Sequence, residues 1–278
     1  MKPLQAPTAG LVLQYAVCSL AALLVGLPLV NTVLGGFKST PQLLNQPFGW
    51  PNPPRLQNYL RVIESSDVWH QLLNSTLVTA LTVVLVLACA SGAAFVFARM
   101  AFRGRDLLFN LFTIGLLFPL SVAILPLFIQ LRQLGLIDSL LGVALPQVAF
   151  GLPMSILLLR NFFRAVPGEL EDAAYIDGCG PFGFLWRVLL PLSRPALAIV
   201  AVLAMVTSWN QFLLPLIVLN SESLWTLPLG VMQFQGQYGT DVALVMAFVV
   251  LAMLPAIVFY LVAERYLVAG LTAGALKE

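Results

Sequence analysis

Six stretches of this chain are at least 21 residues long and carry no Asp, Glu, Lys or Arg: residues 3–37, 68–98, 107–131, 139–159, 195–221 and 242–263. A helix needs about 17–25 mostly apolar residues to cross the hydrocarbon core of a bilayer. Every stretch meets that length. The pattern predicts six membrane-spanning helices near 11–34, 74–98, 107–130, 138–160, 195–219 and 242–263. A cleaved signal peptide is the alternative for the first. Its leading region holds only Lys2, and its apolar run exceeds a signal core, so it reads as a retained helix.

The polar intervals set the orientation. With the amino terminus inside, ten of the 14 basic residues fall on one side, and Lys38, Arg55, Arg61 and Arg132 on the other. The positive-inside rule then places both termini and the interval 165–192 in the cytoplasm. The largest outer interval, about 38–70, holds Pro41, Pro47, Pro51, Pro53 and Pro54 with Trp50 among them. It is predicted as an extended loop with a short interfacial helix over 58–66. A second outer loop covers 221–241. Both are plain connectors or docking sites for an external protein; composition leaves the two open. Prolines interrupt three spans: Pro119 and Pro126 in the third, Pro146 and Pro153 in the fourth, Pro215 in the fifth. Backbone freed by proline needs partners, so these helices are expected inside a bundle or along a cavity.

Composition sharpens the class. Hydrophobic residues make up 60% of the chain and charged residues 9%, against about 25% charged in a soluble domain. The net charge of +2 gives no reason to expect a nucleic-acid partner. Cys18, Cys89 and Cys179 are far apart and read as small hydrophobes. His70 has no carboxylate or cysteine cluster around it. No metal-ligand cluster, paired carboxylate or nucleophile–base pattern is visible.

The polar interval has an internal design. Pro167 fits a first helical turn, and Glu169, Glu171 and Asp172 crowd that turn, where the helix dipole favours acids. Ala173 and Ala174 favour helix and permit close approach. Gly178 and Gly180-Pro181 break the helix. A second helix is expected over 181–190, with Phe182, Leu185, Trp186 and Leu189 on one side and Pro191 ending it. The product is a compact helix-turn-helix knob outside the bilayer.

The stretch Glu171–Pro191 resembles the "EAA" loop of permease subunits in binding-protein-dependent ABC importers. The spacing matches from Asp172 through Pro191. The family's glutamate falls on Asp172, with Glu171 just before it, so either acid could be the one that meets the ATPase. Arg265 to Lys277 resembles the ending of maltose-type carbohydrate permeases. So do Ser208–Leu216, Gln233–Gly236 and Tyr238-Gly239. The resemblance covers essentially the whole chain.

It implies an all-α integral membrane protein: six transmembrane helices in the MetI-like permease fold, forming one domain with a cytoplasmic coupling helix-turn-helix and a cytoplasmic tail at 264–278. It implies ATPase-coupling roles for Glu171, Asp172, Ala173, Ala174, Asp177, Gly178 and Pro191. It implies a second permease subunit, two ATPase subunits, an extracytoplasmic solute-binding protein and a sugar-like substrate, in a bacterial or archaeal cell membrane. ATP and Mg are expected on the ATPase partners and no cofactor on this chain, which lacks a G-x-x-x-x-G-K-[ST] loop. Gly178–Gly183 fits G-x-G-x-x-G, but a helix is expected before it where a dinucleotide fold needs a strand.

Trp209, Asn210 and Gln211 are the candidate substrate-path residues. The amides lie near the middle of an apolar run, where they must face protein or water. They line the path or tie helices together; neighbours about 100° apart on a helix cannot all do the first. A secondary transporter is the competing class. It usually carries ionisable groups at mid-membrane, which all six runs lack.

Overall fold

The computed structural model describes residues 9–236 and 239–275. Its helices are α1 (Ala9–Gly36), α2 (Thr40–Asn45), α3 (Gln57–Glu64), α4 (Ser66–Arg99), α5 (Arg105–Ile114), α6 (Leu120–Gln133), α7 (Leu140–Ala165), α8 (Glu169–Ile176), α9 (Pro181–Phe184), α10 (Leu190–Leu192), α11 (Arg194–Trp209), α12 (Leu213–Val218) and α13 (Val242–Ala275). Among the described residues the only strands are β1 (Gln235–Gly236) and β2 (Gly239–Thr240), a minimal antiparallel pair. Among the described residues four helices are long and apolar enough to cross a membrane, and up to six spans result if each of two bent pairs, Arg105–Leu117 with Leu120–Gln133 and Pro181–Leu192 with Arg194–Trp209, counts as one.

Breaks in the helices correct two expectations. The third span is not one rod. It breaks between α5 and α6, and the chain turns through 104°. Pro119 is the cause: it pushes Phe118 out of helical geometry (φ −90°, ψ 108°) and cannot donate to the preceding turn. Pro126 stays inside α6. The fifth span is also divided, at Asn210–Phe212 between α11 and α12. Pro215 is not the breaker, because it lies in the first turn of α12, where a missing N–H costs nothing. The last span and the expected tail form one helix as far as Ala275. The side chains of the tail, and residues 276–278 altogether, lie outside the described residues, as does Tyr238.

The chain forms two compact units. One gathers residues 1–66 and 231–253. Almost all of α1 is exposed, as a lipid-facing helix requires. After it, Lys38 is wholly buried and its Nζ donates to the carbonyls of Gln46 (3.2 Å) and Pro47 (2.9 Å). Asn58 of α3 donates to the carbonyls of Gly36 and Lys38 at 2.9 and 2.8 Å. Tyr59 donates to the Val33 carbonyl at 2.8 Å, and its ring lies where a side chain on Gly36 would be. The expected outer loop is thus a folded cap with two short helices. The expected interfacial helix is α3.

The other unit gathers residues 67–230 and 254–278. Its core packs Val86, Ala90, Ala94 and Phe95 of α4 against Ile156, Leu159 and Phe163 of α7, with Val200 of α11. Asp138, at φ 56°, closes one end. Its carboxylate accepts from the backbone N–H groups of Asn220 (2.9 Å) and Ser221 (2.8 Å) and from the Ser221 hydroxyl. The Ser221 hydroxyl and then its N–H hold this carboxyl below its ordinary value of 3.8. A depressed carboxyl stabilises the fold above its unfolded value and ceases to do so as pH falls through the folded one. Asp138→Ala should therefore lower the melting temperature of the detergent-solubilised protein near neutral pH. The gap to the parent should close as pH drops below about 4. A gap constant across that range would refute this role.

Candidate functional site

The knob forms from its caps inward. In α8 the three acids occupy the first turn. Its end is a Schellman closure: the N–H of Cys179 bonds to the Ala174 carbonyl (2.9 Å) and that of Gly178 to Tyr175 (3.1 Å). Gly178 takes φ +81°, which a side chain would strain. Pro181 then starts α9. A π-helical turn, Leu185–Leu189, follows, and α10 ends at Leu192.

Two details differ from the sequence expectation. Pro191 does not end the second helix; the break is at the buried Ser193, beyond which the chain turns by 79° into α11. Pro191 has no N–H for the Arg187 carbonyl, and the turn holding Arg187 is the wide π turn, which absorbs the defect. Nor do Phe182, Leu185, Trp186 and Leu189 form one buried stripe. Phe184, Leu185 and Leu189 are buried, while Phe182 and Trp186 are 72% and 68% exposed. With Ile176, 87% exposed, they leave apolar side chains on the surface of a polar segment.

The two acids face different ways. Glu171 turns inward: Arg99 at the end of α4 approaches it at 3.4 Å, and the Tyr175 hydroxyl donates to it at 2.8 Å. Burial first, then that bond to Glu171, raises the Tyr175 phenol above its ordinary value. Arg99 also donates to the carbonyls of Phe163 and Val166, both at 2.6 Å. One guanidinium therefore joins the end of α4, the end of α7 and the start of α8. A cation at free helix-end carbonyls is favourably placed. Asp172, Ala173 and Asp177 are exposed and Ala174 is buried. Sequence reading counted Arg99 only for orientation. No spacing rule links it to an acid 72 residues away.

A cavity of about 250 Å³ lies among α4, α7 and α11. Its polar lining includes Thr82, Gln147, Ser155, Thr207, Ser208 and Gln211. The three path candidates diverge as helical spacing requires. Gln211 lines the cavity. Asn210 is exposed and its amide donates to the Val206 carbonyl at 2.8 Å, closing the end of α11. Trp209 is buried edge-on to Phe259, with ring centres 5.8 Å apart. Gln147 was missed. Its carbonyl oxygen accepts from Thr82 (3.3 Å) and Ser208 (2.5 Å). The available signal was the one used for Asn210: a lone amide inside a charge-free run. Among the described residues no group of His, Cys, Asp or Glu could hold a metal ion.

Residues 87–272 match the family described as the binding-protein-dependent transport system inner membrane component. The chain belongs to this family. The permease is 33% identical to the diacetylchitobiose uptake system permease protein of Streptomyces coelicolor, over 95% of this chain and 88% of that one. It is 34% identical to the arabinooligosaccharides transport system permease protein of Bacillus subtilis, over 92% of each. Its fold matches a chain in the crystal structure of a bacterial ABC transporter involved in import of the acidic polysaccharide alginate, with TM-score 0.81 and 22% identity over 95% of this permease and 99% of that chain. The fold is that of an ABC-importer permease, helical apart from the β1–β2 pair and membrane-spanning.

Proposed function

We propose that this permease forms half of the path through an ATP-driven importer of a sugar or sugar-like solute, and that it couples to separate ATPase subunits through the knob at 171–191. A second permease completes the path, two ATPases bind ATP and Mg, and an external binding protein delivers the solute. Both termini and the knob face the cytoplasm. The names of the relatives, which concern diacetylchitobiose and arabinooligosaccharides, support a carbohydrate.

One observation carries the coupling reading: the knob is anchored on one side and bare on the other. Inward, Glu171 and Arg99 tie it to two long helices. Outward, Asp172 is exposed beside unburied Ile176, Phe182 and Trp186. An apolar set next to a free charge suits a protein interface, where Trp often supplies ~2 kcal/mol or more. A push on that face moves α4 and α7 with it. ATP closes the paired ATPases, the knob follows, and the cavity changes the side on which it opens. The permease supplies path and lever and breaks no bond.

The test is co-purification. Trp186→Asp should leave the permease in the membrane with unchanged melting temperature. Recovery of the ATPases on a tagged permease should fall by at least about tenfold. Trp50→Asp, on an exposed residue of the other unit, should leave recovery intact. Full ATPase recovery and normal transport with Trp186→Asp would refute the docking face.

A further inference from the structure

We propose that the cavity among α4, α7 and α11 is a solute site belonging to this subunit, that Gln147 is its principal polar contact, and that it takes the neutral, hydroxyl-bearing ring of a sugar and refuses a carboxylated or phosphorylated one. This rests on the importer reading above and adds to it the class of solute.

The first observation is an unmet amide. Thr82 and Ser208 both donate to Oε1 of Gln147, which uses both lone pairs of that oxygen. They fix the amide plane. Nε2 is buried and has no acceptor among the described residues. Turned over, the amide would donate to the same two hydroxyls and leave its oxygen unmet, so one polar atom awaits a ligand in either orientation. Groups of this kind inside a membrane protein are costly unless something visits them. A sugar hydroxyl accepts and donates, and so satisfies either end of the amide.

The second observation is the position. Two breaks in the helices adjoin the cavity. Gln211, from the gap between α11 and α12, lines it, and so does Leu120, at the head of α6 just after the turn at Pro119. Irregular backbone at membrane depth is tolerated where it borders a cavity, and binding sites of transporters gather there. The ring of Phe150 and the side chains of Met154 and Leu203 supply the apolar part of the wall. A sugar ring has the matching duality, with hydroxyls at its rim and C–H groups on its faces.

The third observation is charge and size. Among the described residues no lining residue is Asp, Glu, Lys, Arg or His. A carboxylate or phosphate here would lose its water and meet no cation. The volume, about 250 Å³, is just below the ~300–1,000 Å³ of sites that hold drug-sized molecules. It suits one ring at a time and not a whole oligosaccharide.

The experiment uses the complete importer, with its own binding protein, second permease and ATPases. Cells are fed a mixture of chitin, arabinan, starch and alginate hydrolysates, and depletion is followed by mass spectrometry. Neutral saccharides should disappear and uronate oligomers should not. Gln147→Leu should cut that uptake by about tenfold or more. The melting temperature of the purified complex should fall by no more than a few degrees, for the two hydroxyls released from Gln147, and its ATP turnover stimulated by loaded binding protein should fall far less than uptake. Gln147→Asn, which retains an amide, should recover part of the uptake. Importer-dependent depletion of alginate oligomers, abolished by Asp172→Lys, would overturn the inference and leave the importer reading standing. So would normal uptake by Gln147→Leu, or a larger fall of melting temperature with uptake and ATP turnover lost together, which would make Gln147 a tie between helices. Absence of any importer-dependent depletion would overturn both readings.

Discussion

Gly142→Val should remove folded permease from the membrane. A Cβ on Gly142 would fall on the backbone carbonyl of Leu136, with the Leu136 carbonyl carbon and the Val218 side chain both 3.1 Å away. The first two are backbone atoms in the tight connection that leads into α7, and neither has a rotamer to change. Ser139 holds that connection by accepting from the Gly142 N–H at 3.0 Å while donating to the Leu136 carbonyl at 3.1 Å. Relief would require moving the whole turn, and Asp138 with it. Overpacking alone costs about 1–3 kcal/mol, and backbone overlap belongs to the rarer class above about 4 kcal/mol. Gly92, in α4, is the control: nothing lies within 4 Å of its added Cβ. Gly92→Ala should be neutral or stabilising by up to about 1 kcal/mol, since alanine favours helix. Size-exclusion profiles and melting curves of the solubilised proteins decide the matter. Equal melting temperatures for Gly142→Val and the parent would show that the turn yields.

Arg99→Ala should have the second-largest effect. It strips a buried carboxylate of its cation and two helix-end carbonyls of their donor in one step. The Arg99 and Glu171 side chains are only 10% and 16% exposed, so solvent repays little of the loss. Removing one partner of a buried pair costs about 3–5 kcal/mol. Arg99→Lys should rescue little, because a single ammonium cannot span two carbonyls and a carboxylate in a fixed plane. Arg99→Ala with Glu171→Gln should recover part of the loss, since the uncompensated charge has gone. Melting curves of the single and double variants give the coupling. Additive losses would mean that the 3.4 Å approach contributes nothing. Uptake per ATP hydrolysed should also fall in Arg99→Ala, because a push on α8 no longer reaches α4 and α7.

The sequence displayed well whatever depends on runs and caps. Charge-free stretches mark α4, α7 and the start of α13 because lipid tolerates no alternative. Pro167, Gly178 and Pro181 mark the knob because their backbone preferences are local. What it concealed depends on chain segments far apart. Proline alone did not predict breaks: Pro119 bends the chain sharply, while Pro126, Pro146 and Pro153 sit inside helices. The inward turn of Glu171 depends on Arg99, and the role of Gln147 depends on Thr82 and Ser208, each on another helix. In the knob, the π turn shifted the register of the second helix, and so an apolar stripe judged by ordinary helical spacing split into buried and exposed halves.

Lys38 has a consequence for chemical labelling. The sequence contains three lysines, and Lys38 is the only one among the described residues. Its ammonium is enclosed and bonded to two carbonyls, so an amine-reactive dye cannot reach it while the cap is closed. Native protein therefore withholds this amine from such a dye, and opening of the cap adds one dye per chain. The enclosed lysine is a built-in counter for local unfolding of that segment, readable by intact mass without any mutation.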